Sequence, residues 1–106
     1  MMQAESQLHA VVAAAEAVDV HRVLGDITPE DELLRLGRSL KALRAAEPKS
    51  LLGKHINEHV EIPDITQFEF NIRAWKRLRG LAYIICEWSK QERFEGWEDS
   101  ESPEHS

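Results

Sequence analysis

The chain predicts an all-α fold, a small bundle of about four helices with a flexible acidic C-terminal tail, and three observations carry that expectation. Apolar residues recur at three- and four-residue spacing along most of the 106 residues. Two segments carry explicit helix start signals. The one stretch that alternates like a strand, around Phe68, Phe70 and Ile72, has no partner strands from which a sheet could be built.

Residues 4 to 24 form the first expected helix. Leu8, Val11, Ala15 and Val18 follow one another at helical spacing with alanines between them, and Gly25 stops the run. The second helix has the clearest beginning: Thr28 as N-cap, Pro29 in the first helical position and Asp31 three residues after the cap. Leu33, Leu36, Leu40 and Leu43 then share one face, and Pro48 closes the segment. A short helix from about Lys49 to His59 comes next. The last helix is expected to begin near Asp64 or Thr66, with Glu69 three residues beyond Thr66, and to run through Phe68, Trp75, Leu78, Ala82 and Ile85 to Trp88. The ending FEGWEDSESPEHS is acidic and rich in Ser, which predicts a disordered tail. The domain reading is one helical unit over residues 1–93 and a tail over 94–106.

A chain of this length can bury only one modest core, so a single domain is expected, as a monomer. The longest apolar stretch, Leu81 to Cys86, falls far short of the roughly 20 residues that cross a bilayer. The start MMQAESQLHA lacks the basic and apolar regions of a secretory signal, and the single cysteine, Cys86, has no internal disulfide partner. These features predict a cytoplasmic protein without a membrane partner.

The net charge of −6 opposes nonspecific binding to duplex DNA by the whole molecule. The charge is striped, however. Residues 1–34 carry net −6, 35–55 carry +5, 56–72 carry −4, 73–90 carry +4 and 91–106 carry −5. At 100° per residue, Trp75, Leu78, Leu81, Ala82, Ile85 and Trp88 fall in one arc of the last helix, and Arg73, Lys76, Arg79, Gly80 and Tyr83 fall in the other. On the second helix, Arg38 and Lys41 lie opposite the leucines, flanked by Arg35 and Arg44. The solvated-face reading has these bases pairing with the acidic N-terminal segment. The functional reading is a track for single-stranded nucleic acid, in which Arg73, Lys76, Arg79, Arg38 and Lys41 meet phosphates and Tyr83 stacks on a base.

The stretch HINEHVE contains His55-Ile56-Asn57-Glu58-His59, which matches H-x-x-E-H, the local pattern of inverted zinc proteases. Such a site needs a third ligand and a substrate cleft, and neither can be assigned. The stretch therefore reads as a polar helix face, and no catalytic residue, metal ligand, cofactor or small-molecule substrate is expected. A helix-turn-helix is disfavoured, because Gly53 does not separate two clear helices and Glu58 and Glu61 would approach phosphates.

In size, acidity, helical pattern and lack of catalytic machinery, the chain resembles the small proteins that phages and mobile elements direct against bacterial defences, anti-CRISPR proteins among them. The resemblance lies in the character of the whole chain and involves no motif. It implies a non-enzymatic, stoichiometric inhibitor whose partner is a defence complex or its single-stranded nucleic acid. The alternative is a protein–protein adaptor or antitoxin that binds a basic partner through the acidic N-terminal segment and tail.

Overall fold

The computed structural model describes residues 4–64 and 72–91, which contain four helices and, among the described residues, no strand. The expected all-α bundle is the observed fold. Helix α1 spans Ala4–Leu24. It ends where Gly25 turns left-handed (φ 78°), with the Gly25 N–H donating to the carbonyl of Arg22 at 3.3 Å and the Asp26 N–H to that of His21 at 3.1 Å. This is the Schellman closure for which a glycine is suited, because it has no Cβ to clash in that conformation.

Helix α2 spans Glu30–Ala46 and begins one residue later than expected. Pro29, not Thr28, is the N-cap: its ψ of 141° is extended, and no side chain caps the helix. The reason lies in the first backbone bond, which the Pro29 carbonyl accepts from the Leu33 N–H at 3.3 Å. That makes proline the residue half inside the helix. Glu30, Asp31 and Glu32 supply the negative charge that the N-terminal end of the helix dipole favours.

Helix α3 spans Leu51–His59, starting after Lys49 because Ser50 is its cap, with Oγ accepting from the Gly53 N–H at 3.1 Å. At its other end, Arg44 of α2 donates to the carbonyls of Asn57 (3.1 Å) and Val60 (2.6 Å), while Asn57 donates back to the Leu43 carbonyl. Helix α4 spans Ile72–Lys90. The expected start of this helix around Thr66 to Phe70, and the whole of the 94–106 tail, lie outside the described residues.

One core joins the four helices. Leu8, Val11, Ala15 and Val18 of α1, Leu33, Leu36, Leu40 and Leu43 of α2, Leu52 and Ile56 of α3, and Leu78, Ala82 and Ile85 of α4 are all buried, as the periodicity predicts. Trp75, Leu81 and Trp88 lie half-buried at its edge. Helix α1 packs most extensively against α2 and α4 and runs antiparallel to α4. Its C-terminal Asp19 and Arg22 stand beside Lys76 and Arg79, near the start of α4, and its Leu8 and Val12 border Ser89, near the end. This arrangement opens a groove between α1 and α4. No helix of the described residues is long and apolar enough to cross a membrane.

Candidate nucleic-acid interface

The groove widens at the C-terminal end of α1 into a cleft of about 440 Å³, lined by Val18, Asp19, Arg22, Asp26 and Thr28 on one side and Lys76, Arg79, Gly80 and Tyr83 on the other. The α4 residues reach it because positions 76, 79, 80 and 83 occupy successive turns of one helix face. Gly80 lines the cleft next to the two cations, and a Cβ there would meet nothing within 4 Å. The floor of the cleft is thus bare backbone, open to whatever enters.

The charges of the cleft divide into held and unheld groups. Asp19 is buried and grips Arg22 through two bonds, Arg22 Nε to Oδ1 at 2.7 Å and Nη2 to Oδ2 at 3.2 Å. Asp26 bonds His21 Nδ1 at 2.7 Å, and the other nitrogen of that imidazole, Nε2, meets Glu32 at 2.8 Å. These carboxylates, Asp26 first, raise the pKa of His21 above the ordinary histidine value, against a smaller opposing effect of burial. Both acids of the cleft are therefore already engaged, Asp19 by the Arg22 guanidinium and Asp26 by the His21 imidazole. Among the described residues, Arg73, Lys76 and Arg79 form no ion pair, and α1 supplies them none of the acidic partners that a solvated-face reading requires.

Tyr83 is 42% exposed, and the Arg22 guanidinium lies 4.5 Å from its ring centroid. One aromatic face is therefore backed by a cation that Asp19 holds in place. Arg22 is the cleft residue that sequence reasoning missed, since it belongs to the acidic N-terminal segment and only packing brings it to Tyr83.

The residues singled out from the sequence do not all meet here. Lys76, Arg79 and Tyr83 share the cleft, and Arg73 is exposed one turn earlier on the same helix flank. Arg38 lines a separate shallow recess with Gln7, Asp31, Arg35, Ser39 and Ala42, and Lys41 is exposed on α2. Arg44 is committed to the end of α3. Arg77, not singled out before, pairs with Glu61 at 3.2 Å.

In the HINEHVE stretch, the His55 ring packs against His59 and edge-on against Trp88, each with centroids 4.4 Å apart. Glu58 lies 3.8 Å from His59. Among the described residues no group of three or more His, Cys, Asp or Glu side chains is arranged to hold a metal ion.

Comparison with protein-family models, curated proteins and solved structures finds no match to this chain. The site is therefore read from its own chemistry.

Proposed function

We propose that the protein is a non-enzymatic binding protein that engages single-stranded nucleic acid through the α1–α4 cleft and the basic flank of α4. The observation that carries this reading is the convergence of Lys76, Arg79 and Tyr83 on one cleft, with cations that no described carboxylate neutralises. Flexible strands offer both partners such a surface needs, phosphates for the bases and an exposed π-face for Tyr83. Stoichiometric inhibition of a bacterial nucleic-acid-handling defence complex, in the manner of anti-CRISPR proteins, is the setting that the whole-chain resemblance suggests.

Fluorescence anisotropy of labelled single strands across a salt series tests the reading. Three phosphate contacts, from Arg73, Lys76 and Arg79, give a slope of log affinity against log salt of about −2. Duplex should bind less well. Arg73→Glu with Lys76→Glu should weaken binding and flatten the slope while leaving the circular dichroism intact, since both side chains are exposed. No anisotropy change at low salt would sink the proposal.

A second reading rests on a different observation. The C-terminal end of α1 leaves Val20, Val23, Leu24 and, just beyond it, Ile27 exposed (46%, 69%, 68% and 89%). Exposed apolar side chains gathered in one patch mark a surface for protein contact. That favours the adaptor or antitoxin alternative, in which a basic protein partner is bound through the acidic N-terminal segment and tail. Pull-down from a bacterial lysate with and without nuclease separates the two, because only the first reading loses its partners to nuclease.

A further inference from the structure

We propose that the acidic C-terminal segment of this same chain, residues 94–106, docks in the α1–α4 cleft and competes there with the anionic ligand. The inference rests on the reading of the cleft as an anion-binding surface and deepens it into a regulated one.

Charge complementarity is the first support. Residues 94–106 carry five acids, Glu95, Glu98, Asp99, Glu101 and Glu104, and no Lys or Arg. The cleft offers Lys76 and Arg79, with Arg73 beside them, while its two acids are engaged elsewhere, Asp19 in an ion pair with Arg22 and Asp26 in a hydrogen bond with His21. Attraction between unlike charges near a protein surface is effective within about a Debye length, roughly 10 Å at 0.1 M salt.

Reach is the second support. The described chain stops at Gln91, just past the end of α4, and 15 residues follow. From Gln91 back to Tyr83 is about 12 Å along the helix axis, and back to Lys76 about 22 Å, at 1.5 Å per residue. Fifteen residues can extend about 50 Å, and the six that lead to Trp97 can extend about 20 Å. Trp97 can thus reach the level of Gly80 and Tyr83, with Glu98 and Asp99 following it towards Arg79 and Lys76.

Chemistry of the surface is the third. Tyr83 lines the cleft with 42% of its surface exposed, Ile84 beside it in sequence is 39% exposed, and Gly80 leaves room for a backbone or a ring. Phe94 and Trp97 are the aromatic residues within the acidic segment. An aromatic contact beside ion pairs matches the two-part nature of the cleft better than charge alone. A tether this short holds the segment at an effective concentration on the order of millimolar. A contact with an intrinsic dissociation constant near 0.1 mM would then lower affinity for a competing strand about tenfold.

The test uses the full chain and reads docking without nucleic acid. A nitroxide is attached at Ser100→Cys; Cys86 is buried and its thiol is pushed up to about 11, so it stays unlabelled. Docking broadens the amide resonances of Lys76 to Tyr83 and of Arg22 more than those around Arg38. The broadening should disappear at about 0.5 M salt, and in Lys76→Glu with Arg79→Glu. In parallel, single-strand binding is compared between Glu98→Gln with Asp99→Asn and a control of equal charge, Glu30→Gln with Asp31→Asn. The tail pair should raise affinity several-fold more than the control. Absent or unselective broadening overturns the docking, even where strands bind normally. Selective broadening in a protein that binds no strand leaves the docking standing and removes the nucleic-acid reading instead.

Discussion

The guanidinium of Arg22 lies 4.5 Å from the centroid of the Tyr83 ring, joining the acidic segment of the sequence to the basic arc of its last helix. Asp19 holds the edge of the guanidinium through two hydrogen bonds while its face covers the Tyr83 ring, so the three side chains form a linked set across the α1–α4 groove. The consequence for binding is directional. In the proposed binding mode a base stacks on the ring face away from Arg22, and the cation behind the ring is already in place.

Tyr83→Ala should therefore cost about 1–3 kcal/mol of single-strand affinity, the usual range for one stacked base. Tyr83→Phe keeps the aromatic face and should bind like the wild type. Equal losses in both variants would show that the hydroxyl, not the ring, makes the contact. Anisotropy titrations at one fixed salt concentration read the difference.

The His21 clasp makes a pH dependence. Its imidazole bridges Asp26 of the α1–α2 turn and Glu32 in the first turn of α2, and these contacts raise its pKa in the folded state. A group raised on folding stabilises the protein fully below its unfolded pKa, about 6.5 for histidine. That contribution is lost as pH rises through the folded value. Melting temperature should thus decline from about pH 6 to pH 8 in the wild type, and this part of the decline should be missing in His21→Gln. Identical profiles in the two proteins would contradict the clasp.

Cys86 should resist modification. It is 2% exposed, and burial above all, helped by the nearby charges of Asp19 and Glu16, pushes its thiol up to about 11. Because the thiolate is the reactive form, a maleimide at pH 8 should label the native protein far more slowly than the urea-unfolded chain. Comparable rates would mean that α4 opens readily.

Most of the fold was legible because the leucine and valine spacing is regular: Leu33, Leu36, Leu40 and Leu43 shared a face on paper and share the core in fact. Helix ends were less legible. Whether Thr28 or Pro29 caps α2 depends on which of their carbonyls takes the Glu32 N–H, and sequence leaves that open. The cleft was half legible. Helical geometry alone placed Lys76, Arg79 and Tyr83 together, whereas Arg22 arrives through the antiparallel packing of α1, which no local pattern encodes. Arg44 taught the opposite lesson, since its charge looked available and is spent on the carbonyls of Asn57 and Val60.

Two helical glycines give a final prediction with opposite signs. Both should gain from alanine on propensity alone, by about 0.5–1 kcal/mol, since glycine has more backbone freedom to lose. At Gly53 that gain is overwhelmed. A Cβ there would lie 2.7 Å from Pro48 Cβ and 2.8 Å from its Cγ, and the proline ring cannot swing aside as a flexible side chain would. The same turn holds the Ser50 cap, 3.0 Å from that Cβ, so relief of the clash strains the start of α3. Gly53→Ala should destabilise by about 1–3 kcal/mol, the usual cost of overpacking. At Gly80 nothing stands within 4 Å, and Gly80→Ala should stabilise by the propensity gain. Folding alone thus gives no reason for glycine at position 80, whereas a cleft floor that must admit a ligand does. Urea denaturation should move the midpoint down for Gly53→Ala and up for Gly80→Ala, while single-strand binding weakens only in the latter. A Gly80→Ala protein that is both more stable and fully competent to bind would show that the ligand does not approach the floor of the cleft.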